Sequence, residues 1–472
     1  MPKNIRGIGA VQDTFAYQID ISNSFSDMEK YVANIEEEKT FLQEFKSAIE
    51  HLLKTGDKGP VLLNITSDVF LKKIKHNLED TAFSFSRPVD ENSASFAIEK
   101  IRKAGSAVIF AGAGVKLSDA YNELQELSDI LKVPVITSPK GKAVFNNESP
   151  LYLGSFGAGS NIIPKTFLKN EKIDVLLAIG TSFNEFSSNC WADEIKNIPT
   201  IIQIDIDPKI IGRAFSNTYG VVGDIKATLT HINKKIESLP AGALNHLNAN
   251  KIINRYKSEF TNFERPEWYN SEATPIKIPR LLKDIREGFT EDNVTIYNDN
   301  GSCIFWTNHY LMLRKGWNFE SSLGFCSMGY AFPAAIGGYF GAPKRTHIAI
   351  AGDGSVIMNG NELKTASEYN ALVFFIVFND GAHGVVKHST ELLFNRALPG
   401  TAYKKIDFVQ FANNFGVEGY RIDKPGQINK KFIQELQKKN KPILFDCRVD
   451  SKDIGPYGER IKQVASQLSN NA

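Results

Sequence analysis

Residues 348–386 read IAIAGDGSVIMNGNELKTASEYNALVFFIVFNDGAHGVV. The strand-like run 347–351 stops at Gly352-Asp353-Gly354-Ser355, where two glycines predict a sharp turn and a close approach to a ligand. A helix is expected over 361–370, with Leu363, Ala366 and Ser367 at helical spacing, and 372–378 is a β-branched and aromatic run suited to a parallel strand covered on both faces. That run ends at Asn379-Asp380-Gly381. Adjacent parallel strands would deliver Asp353 and Asp380 to one carboxyl edge, where open α/β sheets bind ligands. Two hard oxygen donors beside a glycine-lined pocket suit Mg²⁺ bridging a diphosphate.

The order GDG, helix, strand, paired polar residue resembles the fingerprint of the thiamine diphosphate-dependent decarboxylases and carboligases. The resemblance implies that Asp353, Asp380 and the carbonyl of Ala382 hold Mg²⁺, with Gly352, Gly354, Ser355, His383 and Gly384 around the cofactor. The spacing of 27 from Asp353 to Asp380 fits, whereas Asp380 stands where the family usually has Asn. Aspartate is an equally good oxygen ligand but brings an extra negative charge near the diphosphate. Upstream, SSLGFCSMGYAFPAAIGGYFGAP at 321–343 is similar to the family's LGTMGFGLPAAIGA. Alone, Met328 reads as a core methionine; the resemblance makes it the support for the bent cofactor, and makes the Cys326 carbonyl an acceptor for the aminopyrimidine.

Gly301 and Ser302, beyond an expected strand at 295–298, complete the implied cofactor contacts. Ser302 and Cys303 stand where acetolactate synthases have Gln and His. His383 and His388 lie where the family's substrate-facing helix begins, and are candidate acid or base groups because imidazole titrates near neutrality. Taken alone, each reads more simply as a structural histidine. Ser389 replaces the Trp that shapes the acceptor site in acetolactate synthases.

At 472 residues, with roughly 150 per domain, about three domains are expected. Charged residues at 23% and hydrophobic ones at 42% are ordinary for a packed globular protein. A net charge of +2 with no basic block argues against nucleic acid or an anionic membrane as the main partner. Cys190, Cys303, Cys326 and Cys447 are far apart and form no CxxC, which points to a reducing compartment without a disulfide framework or structural zinc. No apolar run reaches the ~18 residues of a membrane span, and MPKNIRGIG lacks a signal core, so a cytoplasmic protein is expected.

The fold expectation is α/β, with three doubly wound parallel-sheet domains, the first incomplete. Residues 1–85 read as the C-terminal part of a pyrimidine-binding domain: a helix over 41–53, a turn over 55–60 and a strand over 61–65. KGPVLLNITSDV resembles that domain's last strand, and Val11-Gln12-Asp13 its FQE stretch. The family's catalytic glutamate lies upstream of FQE and would then be absent, leaving a separate polypeptide as one expected source of it. Glu36, Glu37 and Glu38 read as a solvated helix start.

Residues 90–236 carry a second α/β pattern, a helix from 95 and one ending at 131, with strands over 107–110, 133–137, 175–179 and 201–206. The turn Gly112-x-Gly114 is a weak dinucleotide signal, and Asp205 and Asp207 read more simply as strand-end residues than as ribose ligands. VPVITSPKGKAVF, LGSFGAGSN, DVLLAIGTSFNE and IIQIDIDP resemble the family's central domain. Acetolactate synthases bind FAD there, but their arginines are unmatched in Thr181-Ser182-Phe183-Asn184-Glu185, which puts FAD in doubt. Cys190 and Trp191 read as packing residues. A linker over 237–275 precedes a diphosphate-binding domain at 276–465, which closes with strands over 418–422 and 442–448.

The resemblance therefore implies a thiamine diphosphate- and Mg²⁺-dependent, acetolactate synthase-like enzyme that decarboxylates or carboligates 2-oxo acids as a homodimer or homotetramer. Benzoylformate decarboxylase-like or 2-hydroxyacyl lyase-like chemistry is the alternative within the family. A catalytically silent chain that binds a diphosphate or nucleotide, one half of a split enzyme, or a plain NAD-binding Rossmann protein are alternatives outside it.

Overall fold

The computed structural model describes residues 21–25, 27–53, 59–73, 89–240, 242–244, 249–462 and 466. Residues 11–13 and most of the turn expected over 55–60 lie outside the described residues. Strands β1 (Tyr31–Ile35) and β2 (Val61–Ile65) pair in parallel beside the helix Glu38–Leu53, around a small core of Ala33, Ile35 and Val69.

The second unit is a six-stranded, wholly parallel sheet of β3 (Ala107–Ala111), β4 (Val135–Thr137), β5 (Tyr152–Ser155), β6 (Val175–Ile179), β7 (Thr200–Asp205) and β8 (Thr218–Val222). Its order is β5-β4-β3-β6-β7-β8, a doubly wound arrangement with a switch point beside β3. The third unit contains β9 (Val294–Asn298), β10 (Asn318–Ser321), β11 (Thr346–Gly352), β12 (Val373–Asn379), β13 (Glu418–Ile422) and β14 (Ile443–Arg448). These are again all parallel, in the order β10-β9-β11-β12-β14-β13. Every residue of β6 and of β12 is buried, because helices cover both faces of each sheet. The chain is thus α/β with parallel-sheet domains, two of them six-stranded and one with two strands described.

One local expectation is corrected. The GDGS segment is not a loop leading to a helix at 361; the helix starts at Asp353 itself (Asp353–Asn359), passes through a 3₁₀ turn (Gly360–Glu362) and resumes as Leu363–Glu368. Gly352 has extended backbone, φ −75° and ψ 157°, so no left-handed turn is made there.

The second and third units dock through the helix Ser302–Tyr310, in which residues 303–310 are all buried. Asn308 Nδ2 donates to the carbonyls of Ala158 (2.6 Å) and Gly159 (3.2 Å), and Asn161 Nδ2 donates to the His309 carbonyl (2.7 Å). His309 Nδ1 donates to the Ser160 carbonyl (2.7 Å) while its Nε2 accepts from the Glu264 amide (2.9 Å). Burial pulls this imidazole's pKa down to about 3 and keeps the ring neutral. Gly159 allows the contact, since its φ is +67° and a Cβ there would lie 2.9 Å from the Phe305 carbonyl oxygen. Lys142, wholly buried, donates Nζ to the Asn308 carbonyl at 2.8 Å.

Among the described residues no helix is long and apolar enough to cross a membrane. All four cysteines are unpaired.

Candidate active site

Strands β11 and β12 are neighbours with Gly352 opposite Phe378, so the residues that follow them leave the sheet at one edge. Asp353 Oδ1 accepts the Gly354 amide (2.8 Å) and the Tyr403 hydroxyl (2.7 Å), and Oδ2 accepts the Gly381 amide (2.7 Å). Asp380 Oδ1 accepts the Ala382 amide (3.1 Å), and the two buried carboxyls lie close enough to act on each other. Burial first, and then the neighbouring Asp353, hold the Asp380 carboxyl well above the usual carboxylate range; burial raises Asp353 as well.

Two neighbouring buried carboxylates need a proton or a cation between them. Lys405 is the nearby cation, but its Nζ donates to the Val449 carbonyl at 2.6 Å. No group of three or more His, Cys, Asp or Glu side chains suited to a metal occurs among the described residues. Two carboxylates alone suit a hard divalent ion that completes its shell with carbonyl, water and phosphate oxygens.

Glycines make the space around the pair. A Cβ on Gly354 would lie 2.8 Å from His383 Nδ1 and 3.3 Å from the Met328 methyl carbon, so these three residues share one wall. On Gly384 it would lie 3.1 Å from Asp380 Oδ2 and 3.3 Å from Ser302 Oγ. Gly352, by contrast, has nothing within 4 Å of a Cβ. Ser355 is buried in the first turn of the Asp353 helix and Ala382 is buried after Asp380. Gly301, with φ +93°, precedes the docking helix.

Asp299, at the end of β9, sets the loop that carries Cys326 and Met328. Its Oδ1 accepts the amides of Asn300 (2.9 Å) and Gly329 (3.0 Å), and its Oδ2 accepts that of Ala331 (2.8 Å). Asn300 Nδ2 donates to Ser322 Oγ and to the Ser327 carbonyl, both at 2.6 Å. Held this way, Cys326 adopts φ +60°, a strained conformation for a residue with a Cβ. Cys303 is buried, donates Sγ–H to the Asp299 carbonyl (2.9 Å) and has its thiol pKa pushed up by burial, so it is a structural thiol.

The two histidines differ. His383 stands against Gly354, with its ring edge-on to Tyr403 at 5.3 Å. His388 is buried and fully engaged: Nε2 donates to the Ser451 carbonyl (2.9 Å) and Nδ1 accepts from the Tyr457 hydroxyl (2.5 Å). Burial lowers its pKa and keeps it neutral. His388 does not line the adjoining cavity; Tyr457 does.

That cavity, about 380 Å³, is bounded by Gly301 and Cys326 on the cofactor-site side and by Ser389, Phe305, Tyr457 and Arg460 elsewhere, with Phe186 reaching in from the central domain. A larger space of about 750 Å³ lies on the central domain and shares no lining residue with it. Trp191 lines that larger space and is 50% exposed, so it is not the packing residue expected. Asn189, Cys190 and Trp191 are consecutively left-handed there.

Over the central switch point, Gly112 and Gly114 are filled by the chain itself. A Cβ on either would lie 2.3 Å from the Gly180 carbonyl oxygen or 2.6 Å from its Cα. The remaining space, about 70 Å³, is small against the ~300–1,000 Å³ of ordinary ligand sites. Phe183 is buried between Phe110 and Phe215, and Asp205 accepts the Asp207 amide at 3.0 Å.

Tyr403, Asp299, Tyr457, Arg460 and Phe186 escape the sequence reading. Only Asp299 carries a signal there, a carboxylate at a strand end before Asn-Gly; the others arrive on loops, on the short helical segment 458–462 or from another domain.

Comparison with known proteins agrees with this geometry. The profile of the thiamine pyrophosphate enzyme C-terminal TPP binding domain matches residues 299–447, and that of the thiamine pyrophosphate enzyme central domain matches residues 94–232. Together they span more than half of the chain. The probable acetolactate synthase large subunit of Methanococcus aeolicus is 28% identical over 98% of this chain and 79% of its own length. That of Methanocaldococcus jannaschii is 29% identical over 99% and 79%. The acetolactate synthase large subunit of Cyanidium caldarium is 28% identical over 85% and 69%. With the paired aspartates and both domain profiles in register on the two six-stranded sheets, the chain belongs to the thiamine pyrophosphate enzymes.

Proposed function

We propose that this chain is a thiamine diphosphate- and Mg²⁺-dependent enzyme that decarboxylates a 2-oxo acid and joins the acyl fragment to a second carbonyl compound, in the manner of the acetolactate synthases. The placing of the buried Asp353 and Asp380 side by side at the end of adjacent strands, with the Gly381 amide on Asp353 Oδ2, carries this reading. These carboxyls, with the Ala382 carbonyl, would hold Mg²⁺. Gly352, Gly354, Ser355, Ser302 and Gly384 would admit the diphosphate, and Gly301 opens the way to the cavity. When bound, the cofactor supplies the electron sink for loss of CO₂.

The protein's own residues place and shield the reactants. Asp299 fixes the loop that sets Met328 and the Cys326 carbonyl. His383 presents Nδ1 beside Gly354, where it can take or give a proton. His388 orients the Tyr457 hydroxyl, and Phe186 and Phe305 keep water from the cavity. A homodimer or homotetramer is the working form, consistent with the exposed apolar side chains Phe325, Ile357 and Met358 near the site.

The test is thermal stabilisation by thiamine diphosphate, MgCl₂, FAD and NAD, singly and combined, followed by product analysis with pyruvate. Stabilisation by thiamine diphosphate that needs Mg²⁺, with acetolactate formed, is expected. Stabilisation that persists in EDTA, or by NAD alone, would overturn the reading. The mostly apolar cavity, with Ser389 in place of a bulky side chain, favours a larger acyl donor as a second reading, benzoylformate decarboxylase-like or 2-hydroxyacyl lyase-like, and an aryl 2-oxo acid assayed in parallel separates the two.

A further inference from the structure

Asp446 lies in β14, beside β12, and is wholly buried. The site described above makes no use of it. Its Oδ1 accepts Asn379 Nδ2 (2.7 Å) and its Oδ2 accepts Arg448 Nη2 (2.7 Å). The same two nitrogens each donate a second time, and to one acceptor: the Ile406 carbonyl lies 2.8 Å from Asn379 Nδ2 and 3.0 Å from Arg448 Nη2. Asn379 and Arg448 are register partners in β12 and β14, so the strand pairing itself brings the two donors together. The Asn379 amide faces this way because its oxygen, turned round, would meet a carboxylate and a carbonyl, both acceptors. One buried carboxylate thus aims two donors at a single backbone oxygen, and hydrogen bonds to an ionised group are the stronger ones.

Ile406 belongs to the segment that returns over the sheet edge. In that segment Tyr403 gives its hydroxyl to Asp353 Oδ1 (2.7 Å) and its amide to the Gly381 carbonyl (2.8 Å), while Lys405 Nζ donates to the Val449 carbonyl (2.6 Å). Asn379, for its part, directly precedes Asp380. Resting on the thiamine diphosphate and Mg²⁺ reading, we infer that Asp446 is a positioning residue for the metal pair: by holding Asn379 and Arg448 on the Ile406 carbonyl it fixes segment 401–407, and through Tyr403 it fixes the Asp353 carboxyl. It touches neither cofactor nor substrate. Neutralising Arg448 would by itself need neither the second donor nor the convergence of both on a carbonyl of the Tyr403 segment. Arg421, the other cation near Asp446 at 3.8 Å, is already paired with Asp407 at 2.7 Å.

The experiment uses the full chain and two readouts. Amide hydrogen exchange is followed on the protein without ligands, and the Mg²⁺ concentration for half-maximal thermal stabilisation is titrated at a fixed concentration of thiamine diphosphate. Asp446→Asn keeps the shape but turns an NH₂ towards one of the two donors. It speeds exchange over 401–407 and at the His383 amide by roughly tenfold, the loss expected for one charged hydrogen bond, and leaves β12 protected. It raises the Mg²⁺ requirement by a similar factor, and saturating Mg²⁺ restores the wild-type increment, which a general loss of stability would not allow. Ile443→Val, a cavity in the same strand away from these groups, lowers the thermal midpoint but moves neither readout by more than about twofold. Arg448→Met, which removes one of the two donors, gives a smaller shift in the same direction and decides by the same criteria if Asp446→Asn does not fold. In a Tyr403→Phe background, Asp446→Asn adds less than about twofold to the Mg²⁺ requirement, because both act on one carboxyl by one route. Unchanged exchange over 401–407, an unchanged Mg²⁺ requirement, or full additivity with Tyr403→Phe each overturns the inference. Faster exchange of the segment in a protein that thiamine diphosphate and Mg²⁺ do not stabilise, wild type included, would instead sink the cofactor reading and leave the hold on Ile406 standing.

Discussion

Tyr403 donates its hydroxyl to Asp353 Oδ1 at 2.7 Å across 50 residues of sequence. The loop that carries it is tied to the segment that follows Asp380: the Tyr403 amide donates to the Gly381 carbonyl (2.8 Å), and the His383 amide donates to the Thr401 carbonyl (2.9 Å). Burial and the adjacent Asp353 hold the phenol pKa far above its ordinary value, so it stays a donor. Tyr403→Phe should lower stability by about 1 kcal/mol, the usual net value of one hydrogen bond. It should also raise the Mg²⁺ concentration needed for half-maximal stabilisation by thiamine diphosphate. An unchanged metal titration would show that the hydroxyl does not position Asp353.

Asp353→Ala should abolish the Mg²⁺-dependent part of cofactor stabilisation while the chain still folds. Undiminished binding of thiamine diphosphate by this variant, measured by calorimetry with and without EDTA, would refute the anchor.

Asp380→Asn removes one of two neighbouring carboxyls and keeps an oxygen ligand. The metal-free protein should become more stable, while Mg²⁺ dependence survives with a smaller increment. Complete loss of Mg²⁺ dependence would mean the second ligand lies elsewhere.

Lys142 gives a pH prediction. Burial lowers its pKa from 10.5 to about 7. Between pH 7 and 10 the unfolded chain therefore keeps a proton that the folded chain has released, and stability rises with pH across this window. Lys142→Met should flatten that rise in thermal midpoint relative to wild type. Parallel curves for the two proteins would show that the ammonium is accommodated in the folded state.

Ile357 and Met358 are 55% and 58% exposed on the helix that begins with Asp353, and Phe340 and Tyr369 stack edge to face nearby, also exposed. Apolar groups gathered on one side favour association. Ile357→Glu should shift the sedimentation profile towards monomer and lower activity with it; an unaltered profile would place the contact on another face.

The parts of the fold that were legible in the sequence are those whose physics is local. VLLAI at β6 and VFFIVFN at β12 are buried on both faces, and a continuous apolar run reports that directly. NFES at β10 and TYGVV at β8 are edge strands with mixed exposure, and neither is a continuous apolar run. The same division holds at the site. Asp353 and Asp380 are readable because each immediately follows a buried strand. Tyr403 and Arg460 are not, because their places depend on loops folding back over the sheet edge. The glycines of GDG were legible as special, but the reason differs: Gly354 is small so that His383 and Met328 can close over it, not so that the backbone can reverse.

The docking of the helix Ser302–Tyr310 against residues 157–161 has a consequence for anyone recombining these domains. Its first turn borders the cofactor site and its last turn is pinned to the central sheet's loop, so a shift of one domain is carried into the cavity that Phe186 and Phe305 share. A central domain transplanted from a relative would alter substrate choice even with every residue of the third domain retained, unless segments 157–161 and 302–310 were exchanged as a matched pair.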